Sequence, residues 1–404
     1  MMPARTVYLA TSFFWGMLFW MMATVFMVYQ IEVVGLDALQ LVLVGTALEL
    51  TAFICEVPTG VVADNWSRKA SIIIGYLLTG MAFLLMAAAP VFWVLIVSSI
   101  VWGIGWTFVS GAREAWLADE IGESAAAGLY LRGARLLNYG AFLGIGVAVA
   151  VGSIELHYPL ILSGLIFVLW SLSLIYLMPE TGFSPAHDST APVMDTLRQG
   201  IGVVRASSTL IVLMVVSLVF GIFSEGYDRL SGAHVLRSFT FHEALDVTPV
   251  VAFGAMTAAG ILLSVLAVAL AERLVDTDNV RQLSFSLALV VSLVSLCVLL
   301  FAFTVSLWLA MLLYVVLQPV RSVIYPLTMA WFNRNIPSRT RATVLSMHGQ
   351  FDALGQIAGG PAMGLVGREL GLRVALGASA LLLLPAVWLY GRVRAPADRL
   401  ATRE

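Results

Sequence analysis

Long apolar blocks, repeated along the whole chain, constrain its fold more than any other feature of the sequence. Runs of twenty or more mostly apolar residues alternate with short polar stretches. Roughly 20 such residues suffice for a helix to cross a hydrocarbon layer about 30 Å thick. Hydrophobic residues make up 60% of the chain and charged residues only 11%, too few to cover a water-soluble surface. The sequence therefore predicts an all-α integral membrane protein.

Turn residues and charges divide these blocks into twelve predicted transmembrane helices, in two sets of six. The polar stretch 179–207 separates the sets and is interpreted as a cytoplasmic linker with a short amphipathic helix. We therefore expect an N-terminal six-helix bundle over 1–178, and a C-terminal six-helix bundle with a cytoplasmic tail over 208–404. The predicted spans are 6–31, 38–62, 70–89, 91–117, 129–153, 158–178, 208–232, 247–271, 280–302, 304–332, 341–366 and 370–391.

The distribution of basic residues predicts the orientation in the membrane. If the N-terminus is cytoplasmic, only four of the 22 Lys and Arg residues fall outside, namely Arg229, Arg237, Arg368 and Arg373. Arg321 lies within a predicted span, and all the others fall on the cytoplasmic side. Because Lys and Arg concentrate in cytoplasmic loops, we expect a multi-pass protein with both termini in the cytoplasm.

A charged loop between the second and third predicted spans carries a recognisable pattern. It reads Gly60-Val-Val-Ala63-Asp64-Asn65-Trp66-Ser67-Arg68-Lys69. The pattern resembles the cytoplasmic loop signature of the major facilitator superfamily, and it falls in the loop where that family carries it. It departs from the usual signature at Asn65 and Ser67, where the family has a basic residue and a glycine. Gly60 is expected to permit close helix contact.

This resemblance implies the fold of the superfamily, with two pseudo-symmetric six-helix bundles. It also implies that Gly60, Asp64, Arg68 and Lys69 form a conformational-switch motif. In that family the aspartate and the basic residue belong to a charge relay, which here involves Asp64 and Arg68 with either Arg113 or Asp119.

Other stretches resemble the bacterial drug-efflux and sugar-transporter-like branches of the same superfamily. This resemblance implies a functional monomer in the plasma (inner) membrane of a bacterium. The stretches are Glu56-Val-Pro58-Thr-Gly60, Ala115-Trp116-Leu-Ala-Asp119-Glu120, Pro179-Glu180-Thr-Gly182, Glu225-Gly-Tyr-Asp228-Arg229-Leu230 and Arg341-Ala-Thr-Val-Leu-Ser346.

Polar and ionisable residues inside the predicted spans are the candidates for function. An ionisable side chain costs a few kcal/mol to insert into a membrane, so each one suggests a role. They are interpreted as proton-coupling or substrate-cavity residues. The set comprises Glu49, Glu56, Glu225, Asp228, Arg321, His348, Asp352 and Gln356.

Helical spacing relates several of these candidates. Glu49 and Glu56 lie seven residues apart, so they share one face of the second span. In the eleventh span a polar stripe is formed at four-residue steps by His348, Asp352 and Gln356. A carboxyl group away from water resists ionisation and can carry a proton. We expect Glu49 to be the first such carrier, followed by Asp352 and Glu225, with Arg321 tuning Asp352.

These features predict a proton-coupled secondary transporter of small molecules that works by alternating access between the two halves. Efflux by antiport of amphipathic, cationic or drug-like compounds is the leading interpretation. Two alternatives stay open. One is uptake or exchange of a small metabolite such as an organic anion bound by Arg321, because the embedded arginine of proton-driven exporters is replaced by Ser99. The other is a non-transporting sensor or lipid flippase on the same fold.

The sequence predicts no enzymatic activity. It contains no loop of the GxxxxGK[ST] type and no nucleophile or metal-ligand constellation. Cys55 and Cys297 both lie within apolar runs. We expect no cofactor, no metal and no nucleic-acid partner. The expected partners are a small-molecule substrate, protons and the lipid bilayer.

Overall fold

The computed structural model describes residues 1–184, 193–239, 246–336 and 340–392. Within these ranges every regular element is a helix. The helices are α1 Ala4–Val28 with a π-helical turn Tyr29–Val33, α2 Ala38–Asn65, α3 Arg68–Ala88, α4 Phe92–Val109, α5 Ala112–Ile121, α6 Glu123–Gly152, α7 Tyr158–Leu177, α8 Val193–Ala206, α9 Ser208–Ser238, α10 Pro249–Leu274, α11 Val280–Phe303, α12 Leu307–Ser322, α13 Ile324–Asn335, α14 Arg341–Glu369, α15 Leu372–Leu381 and α16 Leu384–Arg392.

The all-α membrane fold predicted from the sequence is confirmed, and each of the twelve predicted spans coincides with a helix or with two consecutive helices. In the described part of the chain, eleven helical segments are long and apolar enough to cross a membrane. Of the helices at the twelve predicted spans, α14 is the one outside that set, although its 29 residues are enough to cross a membrane. It is more polar than the others because it carries the stripe of His348, Asp352 and Gln356.

Three spans consist of two helices each, and local chemistry explains two of the breaks. Between α4 and α5 the backbone turns at Gly111, whose φ of 75° suits glycine but few other residues. Between α12 and α13 the helix is interrupted at Val323. Pro326, three residues later, has no N–H to donate to the carbonyl of Ser322.

The chain divides into two compact units. The N-terminal unit comprises Met1–Ser189 and Leu245–Ala255, and the C-terminal unit comprises Thr190–Ala244 and Met256–Glu404. The start of α10 therefore packs with the N-terminal unit, whereas the sequence division assigns it to the C-terminal bundle. In the stretch interpreted as a linker, α8 forms a helix at 193–206. Residues 185–192 of that stretch and the predicted tail at 393–404 lie outside the described residues.

Inside the N-terminal unit, α1 and α6 pack so closely that glycine is required at their contact. A Cβ atom added to Gly16 would overlap the carbonyl oxygen of Leu137, and one added to Gly144 would overlap that of Met17. Small residues allow two helix backbones to approach in this way. Aromatic side chains fill the space beside α1, where the Trp15 ring lies 5.4 Å from that of Trp106.

The C-terminal unit repeats this arrangement with α9 and α14. A Cβ atom on Gly221 would overlap the backbone oxygen of Asp352, and one on Gly355 would overlap that of Leu218. The contact fixes the polar stripe of α14 against α9, because Asp352 is itself one of the residues at the crossing.

Candidate functional site

A cavity of about 370 Å³ lies inside the C-terminal unit. Helices α9, α12, α13, α14 and α16 contribute its walls, and we call it the C-terminal cavity. Its lining residues are Val216, Ser217, Phe220, Ser224, Arg321, Ile324, Tyr325, Thr328, His348, Gly349, Asp352 and Tyr390. Three of the candidates predicted from the sequence therefore come together here, from two different spans: Arg321, His348 and Asp352.

Arg321 is held by Asp228, not by Asp352. Its two terminal nitrogens donate hydrogen bonds to the two carboxylate oxygens of Asp228, at 2.5 and 3.0 Å. The guanidinium also lies over two rings of α9, with its central carbon 5.5 Å from the centre of the Phe223 ring and 5.3 Å from that of Tyr227. The expectation that Arg321 tunes Asp352 stays a prediction, and the structure adds that a bidentate carboxylate from Asp228 already engages the guanidinium.

Asp352 has a different environment from Asp228. Its carboxylate accepts a hydrogen bond of 2.8 Å from the side chain of Gln356, one turn further along α14. Among the described residues it forms no ion pair. One turn in the other direction, the His348 ring packs edge-to-face with the Phe332 ring, and the two ring centres lie 4.8 Å apart. The predicted stripe of three polar residues therefore exists, and two of its members reach the cavity.

Glu225 is buried beside this site but does not line it. Only 2% of its side chain is exposed, and one oxygen accepts a hydrogen bond of 3.0 Å from Nε of Arg229, four residues later on α9. This i, i+4 pairing is the one that the sequence spacing indicates.

The two glutamates of α2 belong to the other unit. Glu49 is half-buried and Glu56 is exposed, and both lie within Ala38–Asn65. Neither is among the residues that line the C-terminal cavity.

Sequence reasoning did not identify four hydroxyl groups of the C-terminal cavity, those of Ser217, Ser224, Thr328 and Tyr390. Ser217 and Ser224 lie two turns apart on α9, a spacing that could have indicated a polar face. Thr328 and Tyr390 are buried in the wall, and their hydroxyls form no hydrogen bond of normal geometry with the described residues. Tyr390 sits in an apolar block, so no signal in the sequence marks it.

A second group of charged residues, in the N-terminal unit, surrounds the signature loop. Arg68 lies between two carboxylates, at 3.6 Å from Asp64 and 2.9 Å from Asp119. We call these three residues the loop cluster. Of the two further relay members that the resemblance allowed, the structure places Asp119 beside Arg68, whereas Arg113 pairs with its neighbour Glu114 at 2.7 Å.

The stretch after α7 ties this loop to α5. Glu180 accepts hydrogen bonds from the Ser67 hydroxyl at 2.7 Å and from the backbone N–H of Lys69 at 2.8 Å. Glu120 accepts two backbone hydrogen bonds from Thr181 and Gly182. Two stretches that resemble the efflux branch, 115–120 and 179–182, therefore meet the signature loop.

Gly60 does not have the close contact expected for it. A Cβ atom at this position would meet no described atom within 4 Å. The expectation of close helix packing at Gly60 is wrong for this conformation, since glycines at the α1–α6 crossing fill that role instead. Among the described residues, no group of three or more His, Cys, Asp or Glu is arranged to hold a metal ion.

Comparisons with known proteins agree with this architecture. Residues 233–404 match the family model described as Major Facilitator Superfamily. YxaM of Bacillus subtilis (strain 168), an uncharacterised MFS-type transporter, is 25% identical over 371 residues, which cover 88% of this chain and 87% of YxaM.

Solved structures of transporters share the fold at low sequence identity. The nucleoside transporter NupG superposes with a TM-score of 0.75 at 14% identity, covering 96% of this chain and 98% of NupG. A bacterial homologue of the human lysosomal transporter Spinster, inward-facing and unoccupied, gives 0.75 at 15% identity over 97% of both chains. The peptide transporter POT in complex with sulfate gives 0.72 at 14% identity, covering 97% of this chain and 96% of POT. Together with the helical architecture and the signature loop, the family match over residues 233–404 and the similarity to YxaM show that this chain resembles transporters of the major facilitator superfamily.

Proposed function

We propose that this protein is a proton-coupled secondary active transporter that exports small amphipathic compounds, especially cations, by alternating access. The observation that carries the proposal is the C-terminal cavity. Its volume of about 370 Å³ is in the range of roughly 300–1,000 Å³ that small-molecule sites occupy. Apolar and aromatic side chains line it together with polar and charged ones, which suits an amphipathic cargo.

The charges around the cavity favour a cation over an anion. Arg321 contributes one positive charge, and Asp228 already compensates it. Asp352 contributes a further carboxylate whose hydrogen-bond partner, Gln356, is neutral. With both carboxylates ionised the site carries a net negative charge. Either a proton or a positively charged cargo on Asp352 restores neutrality, which the partial burial of this carboxylate favours.

Exchange of cargo for protons requires that the two compete for one site, and Asp352 provides such a site. Proton and cargo bind the same carboxylate, so each displaces the other, and a conformational change between two binding events then moves them in opposite directions. Asp352 is therefore the leading candidate for the coupling residue. Glu49 and Glu225 remain proposed carriers, although Glu225 is engaged by Arg229 and Glu49 lies on α2.

The loop cluster is proposed to steady one of the conformations between which the transporter alternates. Its two ion pairs join the start of α3 to the end of α2 and the end of α5. Separation of these helix ends breaks the ion pairs. The cluster therefore has two discrete states, one with the ion pairs formed and one with them broken.

A second candidate function is uptake or exchange of a small metabolite. NupG and POT, which share the fold, transport nucleosides and peptides according to their names. An organic anion would have to compete with Asp228 for Arg321, which weighs against that cargo but not against a neutral one. A sensor or lipid flippase on the same fold is a third candidate, and it is distinguished by the absence of cargo-linked proton movement.

Transport by reconstituted protein tests the proposal. Proteoliposomes that contain a pH-sensitive dye would receive tetraphenylphosphonium as a cationic probe, or a nucleoside as a neutral one. We expect the cation to drive proton movement in the wild type and in Asp246→Asn, a control at an exposed carboxylate. Asp352→Asn should abolish that movement, and Glu49→Gln should do so if Glu49 also carries protons. Unchanged proton movement in Asp352→Asn would remove Asp352 from the mechanism. Proton movement with the nucleoside alone would favour the second candidate.

A further inference from the structure

The surroundings of Arg321 have the features of a complete binding site for a carboxylate. Two parallel N–H groups face one carboxyl group in bidentate geometry, the arrangement by which arginine selects carboxylate and phosphate. The rings of Phe223 and Tyr227 support the guanidinium from α9. Arg321 also lines the C-terminal cavity, so the guanidinium is positioned where cargo would meet it.

The anion that fills this site is part of the protein, and it is only partly buried. Asp228 follows Ser217 and Ser224 on α9 at intervals of seven and four residues, so it continues the face that lines the cavity. Its side chain is 45% exposed, whereas that of Glu225 on the same helix is 2% exposed. A fully enclosed pair would serve packing alone. Asp228 is instead the more exposed member of the pair, since the Arg321 side chain is only 18% exposed.

We propose that Asp228 is a specificity-determining residue, an internal carboxylate that fills an anion site built around Arg321 and so excludes anionic cargo. This inference rests on the proposed function, because it concerns which charge the same cavity accepts. A carboxylate or phosphate cargo could reach Arg321 only by displacing Asp228. Displacement would leave the Asp228 carboxylate without its partner, near the Asp352 carboxylate, and would add a third negative charge to the site. Cationic and neutral cargo need not displace Asp228 and add no negative charge to the site.

Removal of the internal carboxylate should therefore expose a site that a small soluble carboxylate can fill. In Asp228→Ala the guanidinium loses its partner and space is left beside it. We expect sodium acetate to raise the thermal unfolding midpoint of purified Asp228→Ala by several degrees relative to sodium chloride of equal ionic strength. The wild type should show no such difference.

Glu369→Ala is the matched control, because it also removes the carboxylate partner of an arginine. Arg368 and Glu369 pair at 2.9 Å, but the pair lies at the surface, with side chains 44% and 59% exposed. Acetate should not stabilise this variant more than chloride does. Equal acetate responses of Asp228→Ala and Glu369→Ala would overturn the proposal, because any freed arginine would then behave in the same way.

Two further variants keep the test decisive if Asp228→Ala folds poorly. Asp228→Asn keeps the shape of the side chain, and the yield of folded protein with and without acetate then replaces the unfolding midpoint. The double variant Arg321→Gln/Asp228→Asn lacks both charges and should show no acetate effect. An acetate effect of the same size in the double variant would show that the guanidinium is not the site, and no effect in any Asp228 variant would show that no anion site exists.

The same proteins separate this inference from the proposed function. Radiolabelled benzoate should accumulate in proteoliposomes with Asp228→Asn and not in those with the wild type. If the wild type moves no protons with tetraphenylphosphonium while acetate still stabilises Asp228→Ala, cation export is wrong and the anion site is real. If the wild type exports the cation and acetate has no effect, the inference about Asp228 is wrong and the transporter assignment stands.

Discussion

Arg321 donates hydrogen bonds from both terminal nitrogens of its guanidinium to Asp228, a residue 93 positions earlier in the chain. The pair connects the last turn of α12 to the face of α9 that borders the C-terminal cavity. It also explains how an arginine is tolerated inside a predicted span, since its charge is compensated where it lies. Because Arg321 pairs with Asp228, Asp352 is the carboxylate of the cavity that a proton or a cationic cargo can neutralise.

Replacement of Arg321 by lysine should weaken this connection even though the charge is kept. Lysine offers a single nitrogen and cannot reproduce the planar two-point contact. We expect Arg321→Lys to lose about 1.5 kcal/mol of stability, the lower end for a hydrogen bond to a charged group. Thermal unfolding in detergent measures the change, and Arg368→Lys, at the exposed pair with Glu369, should unfold like the wild type. A midpoint for Arg321→Lys equal to that of the control would contradict the structural importance of the bidentate contact.

Two glycines of α6, only two residues apart, should respond in opposite ways to alanine. At Gly144 the added Cβ would overlap the Met17 carbonyl, whereas at Gly146 it would meet no described atom within 4 Å. Gly144→Ala should therefore force α1 and α6 apart and lower the unfolding midpoint. Gly146→Ala should be neutral or stabilising by up to about 1 kcal/mol, because alanine favours helix. Parallel melting curves and expression yields test the pair, and equal losses in both variants would show that the crossing is not as tight as described.

The loop cluster predicts a local change when one of its acids is neutralised. Asp119→Asn removes the 2.9 Å ion pair to Arg68, and a partly exposed pair of this kind contributes about 1 kcal/mol. Such a loss increases the locally open population about fivefold. Trypsin should then cleave after Arg68 or Lys69 about five times faster than in the wild type. Glu123→Gln, at an exposed acid at the start of α6, should leave the rate unchanged. In the exchanged variant Arg68→Asp/Asp119→Arg, cleavage after Lys69 alone is compared, and much of its protection should return; no return of protection at Lys69 would argue against a direct pair.

The orientation predicted from basic residues can be tested at two exposed positions. The side chain of Asp278, between α10 and α11, is 96% exposed, and that of Glu155, between α6 and α7, is 57% exposed. With both native cysteines replaced, Asp278→Cys should react with an impermeant maleimide only after the cells are opened. Glu155→Cys should react in intact cells. The reverse pattern would invert the predicted topology.

Sequence reasoning succeeded where a feature depends on neighbours along the chain. Apolar block length located a helix at each of the twelve predicted positions, and the four-residue steps along α14 indicated the contact of Gln356 with Asp352. These relationships follow from the geometry of a single helix. The family resemblance allowed either Arg113 or Asp119 beside Arg68, and the structure places Asp119 there.

The partner of Arg321 could not be chosen from the sequence, because spacing within a helix does not reveal which helix lies opposite. Both Asp228 and Asp352 were available, and only the packing of α9 beside α12 selects Asp228. The glycines show the same limit. Gly60 and Gly144 are equally small, but only Gly144 lies at a helix crossing. Tyr390 reaches the cavity from an apolar block that carries no polar pattern.

The polarity of α14 affects how readily this helix inserts into the membrane during synthesis. A carboxylate near the middle of a helix costs roughly 3 kcal/mol on insertion scales, and α14 is the long helix that falls outside the apolar set of the described chain. Helix α14 is synthesised well after α9, and in the folded protein it packs against the glycine-containing face of α9. We therefore expect α14 to insert poorly into lipid on its own and to need contact with α9 for stable insertion. Biogenesis of the C-terminal half then depends on this helix pairing, which forms late in synthesis.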